Sequence, residues 1–300
     1  MKPDAPLFAA IDLGSNAFRL MIGQSLRSRK GLLIQEVKTL REPVRLAEGF
    51  DGGALDALAL DRGWQALARF GKKLRGFEAG RVRAVATSAV READNAQLFL
   101  ASAERHLGFP IDVISGQEEA RLVYAGVAHA LPGAEDMRLV VDIGGGSTEL
   151  ILGQGSQALL TESIAIGSGT LSTRFFRGGD ISAGALQEAE RFAILQFERV
   201  ARRYRSQGWQ QTIGSSGTAR MLAKVLKANH LNDFDKDGIT YAGLLRLALL
   251  LLKVSNVQQL HLAGLQPHRQ SILPGGLVLM LAAFKVFGIS QMAPSEPGLR

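Results

Sequence analysis

Cysteine is missing from all 300 residues of the sequence. Disulfide bonds, thiolate metal sites and cysteine catalysis are therefore excluded, and a cytoplasmic location is the default expectation. Long apolar runs are missing as well. The N-terminus, MKPDAPLF, has no extended apolar core, so we expect no signal peptide. The most apolar stretch, LLRLALLLLKV at 244–254, is too short to span a bilayer and contains Arg246, which predicts a buried helix.

Common nucleotide-binding and metal-binding signatures are also lacking. No Gly-Lys-Ser/Thr follows the GGGS turn at 144–147, which excludes a Walker A loop there, and an apolar strand pattern follows it, unlike a dinucleotide fingerprint. The histidines show no metal-type spacing: His106, His129, His230, His261 and His268. An apolar content of 46% with 21% charged residues is typical of a globular chain, and 300 residues suit two domains.

The formal net charge is +7, a property that bears on partners rather than on fold. Nucleic acid, a membrane surface or a soluble polyanion could each match a basic protein. The basic residues are scattered apart from small groups such as RSRK at 27–30 and RVARRYR at 199–205. Such groups are usually solvated faces, so charge alone does not select a partner.

One segment recurs 130 positions later without a gap: FAAIDLGSNAFRLMIGQ at 8–24 aligns with RLVVDIGGGSTELILGQ at 138–154. In each copy an acid ends an apolar strand, a turn of small residues follows, and a second apolar strand begins. The identical positions are Asp12 and Asp142, Gly14 and Gly144, Leu20 and Leu150, Gly23 and Gly153, and Gln24 and Gln154. The repeat indicates two related lobes.

The order of predicted elements supports this interpretation, because three antiparallel strands followed by alternating helices and strands occur twice. The predicted strands are 7–13, 17–24, 31–40, 81–87, 111–114, 138–143, 147–154, 157–166, 211–214 and one near 288–293. The predicted helices are 54–76, 90–107, 117–130, 183–205 and 217–228. We predict an α/β protein with lobes at 1–128 and 129–300, the boundary falling near AHALPGAED, and a cleft between them.

The glycine-rich turns suit an anion, because glycine lets the backbone approach a ligand and successive N–H groups form a concave site. GGGS at 144–147 is such a stretch, and GSN at 14–16 is its counterpart. Asp142 and Glu149 would then flank the bound anion. Carboxylates beside phosphate need a cation between them, which predicts Mg²⁺. Ordinary β-turns are the alternative, and two copies in register favour the anion site.

A third turn, IGSSGT at 213–218, lies between a predicted strand and a predicted helix. The N-terminus of that helix would offer N–H donors to an anion. An ordinary N-capping turn is the alternative, and the residues leave the choice open.

Five motifs occur in order along nearly the whole chain: DLGSNAFRL, ATSAVREADN, VISGQEEARLVYAGV, DIGGGSTEL and IGSSGT. With them the sequence resembles the exopolyphosphatase / guanosine pentaphosphate phosphohydrolase family, and SGQEEARL combined with DIGGGSTE is the most specific part. The resemblance implies the fold of the actin and sugar-kinase superfamily, with two ribonuclease-H-like lobes around a central cleft.

The resemblance also implies roles for matching positions. Glu119 corresponds to the catalytic base, and Asp142 and Glu149 to acids near the metal, Mg²⁺. The implied phosphate-binding residues are Ser15, Asn16, Arg19, Arg91, Gly144, Gly145, Gly146, Ser147, Ser216 and Gly217. From the residues alone, Glu118 and Glu119 are better explained as a solvated helix start, and the resemblance reverses that preference. Arg19 and Arg91 could each be surface arginines.

The implied activity is Mg²⁺-dependent release of terminal orthophosphate from inorganic polyphosphate, guanosine pentaphosphate, or both. We expect polyphosphate or guanosine penta- or tetraphosphate as partner, no nucleic acid or membrane, and a homodimer as one assembly. A sugar or acetate kinase of the same fold is an alternative, against which the Glu119 segment argues. A non-catalytic polyphosphate or alarmone binder is another, against which Glu119, Asp142 and Glu149 argue.

Overall fold

The computed structural model describes residues 6–28, 31–51, 53–131, 135–233 and 236–295. The chain forms two compact units that separate between Ser115 and Gly116. Each unit is built around its own mainly apolar core.

Among its described residues, the first unit contains a five-stranded sheet, a short hairpin and three α-helices. Its strands are β1 (Leu7–Leu13), β2 (Phe18–Ser28), β3 (Gly31–Glu42), β4 (Phe50–Asp51), β5 (Ala54–Leu55), β6 (Val82–Ala86) and β7 (Ile111–Val113), and its helices are α1 (Ala57–Lys73), α2 (Ser88–Arg91) and α3 (Ala96–Leu107). The sheet order is β3-β2-β1-β6-β7, with β1 to β3 antiparallel and β6 and β7 parallel to β1.

Local sequence explains most of this unit. Asp56 caps α1 by accepting a hydrogen bond from the Ala59 N–H over 2.6 Å. Gly63 lets α3 pack closely, because a Cβ there would lie 2.7 Å from the Phe99 ring. The predicted helix 90–107 is wrong in one respect, since it is divided into α2 and α3. The Asn95 side chain holds the break by bonding both the N–H and the carbonyl of Leu55.

The second unit repeats this arrangement with additional elements. Its helices are α4 (Gly116–Ala130), α5 (Ser168–Phe175), α6 (Ala183–Arg205), α7 (Gly217–Ala228), α8 (Tyr241–Val254) and α9 (Leu273–Phe287), and its strands are β8 (Met137–Ile143), β9 (Thr148–Gln154), β10 (Gln157–Ile164), β11 (Gln211–Gly214), β12 (Ile239–Thr240) and β13 (Gln291–Pro294). The sheet order is β10-β9-β8-β11-β13-β12.

Three antiparallel strands followed by parallel ones in the order 3-2-1-4-5 occur in both sheets. This is the ribonuclease-H-like arrangement, and it confirms the predicted fold class of two such α/β lobes. The predicted boundary at 128/129 lies inside α4. That helix packs on the second sheet, where Val123, Tyr124 and Val127 meet Val140 and Ile151.

The apolar segment 244–254 lies within α8, as predicted, but only one side of that helix is buried. Leu244, Leu247 and Leu251 are in the core, whereas Leu245 and Leu249 are exposed. The most thoroughly buried helix is α9, in which Lys285 is the one residue that is not buried. Within the described ranges, no helix has the length and apolar character needed to cross a membrane.

Candidate active site

The turn between β8 and β9 is tight and forms the centre of the site. Its Gly144 N–H donates to the Ser147 carbonyl over 2.9 Å. None of Gly144, Gly145 and Gly146 adopts a positive φ. A Cβ on Gly144 would lie 3.1 Å from the Ser147 carbonyl oxygen of the same turn, and neighbouring main chain packs directly against the turn.

That neighbouring main chain is the beginning of α5, which the sequence analysis did not predict. The N–H groups of Ser168 and Gly169 donate to the carbonyls of Gly144 and Gly145, each over 2.9 Å, and Thr170 donates to Gly145 over 3.1 Å. The helix N-terminus thus binds the carbonyls of the turn and fixes the orientation of its peptide groups.

Four side chains form a row across neighbouring strands of the second sheet, which we call the carboxylate row. Glu149 on β9 pairs with Asp142 on β8 and with Ser163 on β10. Ser215 directly follows β11, whose parallel pairing with β8 places it beside Asp142. The Ser215 hydroxyl donates to Asp142 Oδ2 over 2.6 Å, and the Ser163 hydroxyl donates to Glu149 Oε1 over 2.8 Å. Two carboxylates therefore lie between two hydroxyls.

Glu149 is 2% exposed, and its surroundings disfavour a negative charge. Burial raises the pKa of the Glu149 carboxyl well above its usual value, and the charges of Glu119 and Asp142 raise it further. Hydrogen bonds from Ser147 and Ser163 oppose this rise. Glu119, in the first turn of α4, is itself 8% exposed. The fold thus brings together the three acids that the sequence analysis singled out.

Oxygen donors of this kind suit Mg²⁺, which usually keeps several waters and takes one or two carboxylates plus phosphate oxygens. Asp142 and Glu149 supply two such carboxylates, and their mutual repulsion favours a cation between them. In the described part of the chain, no three histidine or acidic side chains are arranged as a metal-binding group. Asp142 and Glu149 are therefore the two oxygen donors that could hold such an ion.

The third glycine turn lies at the end of β11. The Ser216 hydroxyl caps α7 by accepting from the Ala219 N–H over 2.9 Å. The Ser216 side chain is therefore an N-cap, which is one of the two alternatives that the sequence left open. A phosphate contact of Ser216 and Gly217 stays a prediction. Two arginines that the sequence analysis missed bind carbonyls of this turn: Arg269 binds Gly217 over 2.9 Å and Arg220 binds Ser215 over 3.3 Å.

In the first unit, the predicted residues lie around the β1–β2 turn and α2. Ser15 is buried, and its hydroxyl accepts from the Ala89 N–H over 3.2 Å. The Asn16 carbonyl accepts from the N–H of Arg45 over 3.0 Å. Ser15 therefore ties this turn to the start of α2.

The two candidate arginines of this unit have different environments. Arg19 pairs with Asp12 across β1 and β2, at the repeat position that Glu149 occupies in the second unit. Arg91 ends α2 and donates to the Ile114 carbonyl over 3.0 Å and to Glu92 over 3.2 Å. The repeated turn is thus accompanied by an arginine in one unit and by a glutamate in the other.

The protein is thus an α/β protein of two ribonuclease-H-like units, one of which carries a braced glycine turn between the half-buried Asp142 and the buried Glu149. A model of the Ppx/GppA phosphatase family matches residues 26–300, so the chain belongs to that family. It is similar to an exopolyphosphatase from Cytophaga hutchinsonii, with 26% identity, 98% of this chain and 95% of that chain covered, and a TM-score of 0.85. It is also similar to the PPX-GPPA enzyme of Aquifex aeolicus, with 26% identity, 98% of each chain covered, and a TM-score of 0.74.

Proposed function

We propose that this protein removes terminal orthophosphate from inorganic polyphosphate, guanosine pentaphosphate, or both, with Mg²⁺. One observation carries the proposal. In a chain of the Ppx/GppA phosphatase family, a braced glycine turn and the acids Glu119, Asp142 and Glu149 meet in one unit. The similarity to a protein described as an exopolyphosphatase supports polyphosphate as a substrate.

The chemistry needs few groups, because phosphoanhydride hydrolysis depends mainly on positioning and electrostatic stabilisation. The N–H groups of the glycine turn bind oxygens of the terminal phosphoryl group. Glu119 orients the attacking water and accepts its proton as oxygen bonds to phosphorus. The bond to the bridging oxygen breaks, and that oxygen becomes the terminal oxygen of the shortened substrate. When bound at Asp142 and Glu149, Mg²⁺ would neutralise charge on the phosphate oxygens.

The same proposal assigns phosphate contacts to Ser147, Ser216 and Gly217 in the second unit. In the first unit it assigns them to Asn16 and Arg19, and to Ser15 and Arg91. Arginine suits this task because its planar, permanently charged fork matches phosphate oxygens. These assignments rest on the family motifs.

Phosphate release from long polyphosphate, guanosine pentaphosphate and ATP, measured side by side with and without Mg²⁺, tests the proposal. We expect release from at least one of the first two, without any acceptor and only with Mg²⁺. Transfer from ATP that requires a sugar or acetate would show a kinase. Binding of polyphosphate without any release would show a non-catalytic binder.

A further inference from the structure

Both ends of the carboxylate row are closed by a serine hydroxyl. Ser163 lies opposite Glu149 in the β9–β10 register and donates over 2.8 Å, and Ser215 donates to Asp142 over 2.6 Å. Hydrogen bonds to ionised carboxylates are shorter and stronger than those between neutral groups. Each bond fixes one oxygen of its carboxylate and therefore the plane of the group.

Ser215 is itself held firmly. It is 2% exposed, and its N–H donates to the Val141 carbonyl over 3.2 Å. Arg220 donates both to the Ser215 carbonyl over 3.3 Å and to the Ser295 carbonyl over 3.0 Å, which ties the residue to the end of β13. The hydroxyl therefore acts from a rigid support.

Both carboxylates must be ionised to hold a cation, and without such restraint two ionised neighbours repel one another and rotate apart. A divalent cation needs them turned toward a common point before it binds, otherwise binding must supply the free energy of ordering them. The two hydroxyls lie at opposite ends of the row, so they restrain the two acids independently.

We propose that Ser215 and Ser163 are positioning residues that orient Asp142 and Glu149 for a divalent cation. This inference rests on the proposed function, because that function supplies the cation. Partners that orient metal ligands typically contribute 10–100-fold in metal affinity. Ser215→Ala and Ser163→Ala should each weaken Mg²⁺ binding by a factor in that range.

The test is a calorimetric titration of the full chain with Mg²⁺ and no substrate, alongside the Mg²⁺ concentration that gives half-maximal phosphate release. Ser163→Thr keeps the hydroxyl at a half-buried strand position and should restore near wild-type affinity. Ser182→Ala is the matched control. The Ser182 hydroxyl caps α6 by accepting a hydrogen bond from the Ala185 N–H over 3.1 Å, and the substitution removes this cap. It should lower stability and leave Mg²⁺ affinity unchanged.

Unchanged Mg²⁺ affinity in both alanine variants would overturn the inference, as would an equal loss in the Ser182→Ala control. Absence of Mg²⁺ binding by the wild-type protein in the titration would also overturn the inference. If that protein still released phosphate, the proposed function would stand. Conversely, a protein whose Mg²⁺ affinity depends on these serines but which hydrolyses neither proposed substrate would contradict only the proposed function.

Discussion

At the scale of single residues, Glu118 and Glu119 are neighbours in the first turn of α4 but have different surroundings. Glu119 is buried near Glu149, whereas the Glu118 side chain is 40% exposed and paired with Arg121 over 2.8 Å. Glu119→Gln keeps size and polarity but cannot accept a proton in the same way. We expect the turnover number to fall by a factor on the order of 10²–10⁴, the usual contribution of a positioned base.

Glu118→Gln is the matched control and should keep near wild-type turnover, because it removes a surface ion pair. Steady-state phosphate release and equilibrium polyphosphate binding measure the two effects. Binding should survive in both variants. Wild-type turnover in Glu119→Gln would remove this residue from the mechanism.

The raised pKa of Glu149 also predicts how the stability of the protein depends on pH. Burial raises the pKa of this carboxyl above 4.5 in the folded protein, so at a pH between the unfolded and the folded pKa the folded protein holds a proton that the unfolded chain has released. As the pH rises above 4.5, the unfolded state binds fewer protons than the folded state. The contribution of this group to the free energy of unfolding therefore falls until the pH reaches the folded-state pKa. Glu149→Gln removes this penalty and still accepts the Ser163 hydrogen bond.

We therefore expect Glu149→Gln to raise the melting temperature of the metal-free protein, with a gain that grows as pH increases from about 4.5. Activity should fall, since the substitution removes a proposed metal ligand. Thermal unfolding in EDTA across a pH series provides the measurement, with Glu162→Gln as control because Glu162 is paired with Arg203 outside the row. A melting temperature that is lowered at every pH would contradict the expectation.

At the scale of elements, the start of α5 and the glycine turn depend on each other. Gly167 precedes the helix at φ −133°, a conformation open to any residue, yet a Cβ there would overlap the backbone of Gly145 and Gly146. Gly167→Ala must therefore push the turn and the helix apart. We expect turnover to fall about 100-fold, since a displacement near 1 Å is enough to do so, and stability to fall by about 1–3 kcal/mol.

Gly184→Ala is the control for this change. Gly184 lies in the first turn of α6, where the nearest atom to an added Cβ is Ser182 Oγ at 3.9 Å, so alanine fits and activity should persist. Phosphate release and thermal unfolding of both variants separate the two cases. Full activity in Gly167→Ala would show that the turn need not be held by α5.

At the scale of the whole molecule, the charge of +7 bears on the length of the substrate. Long polyphosphate carries many more charges than the glycine turns can contact, so the excess lies in solvent or along basic surface. If basic surface contributes, affinity for long polyphosphate should fall more steeply with salt than affinity for guanosine pentaphosphate. Part of the basic group at 199–205 is already paired, Arg203 with Glu162 and Arg205 with Glu198.

Apparent affinities for both substrates at several KCl concentrations give the two slopes. We expect the logarithm of the polyphosphate affinity to fall more steeply against the logarithm of KCl concentration. Arg203→Gln and Arg205→Gln should have little effect, because their charges are balanced locally. Equal slopes would mean that the net charge serves solubility and that no basic track extends beyond the site.

The sequence by itself determined the features that depend on local pattern. Alternating apolar residues, caps and turns placed most strands and helices within a few residues, and the repeat at 8–24 and 138–154 revealed the duplicated topology. It also located Asp142 and Glu149 at the two ends of one turn, because a short hairpin connection fixes which residues face each other. The family motifs then distinguished Glu119 from Glu118, which local pattern could not do.

Only the tertiary structure decided which distant residues complete the site. Strand pairing brings Ser163 to Glu149 and Ser215 to Asp142, and no spacing in the sequence indicates these two contacts. The helix α5 was missed because SGTLSTRF is short and polar, and it is stabilised by the carbonyls of a turn more than twenty residues earlier. The burial that raises the pKa of Glu149 is likewise a product of packing. Such features arise from contacts between segments remote in sequence, and local propensity carries no information about them.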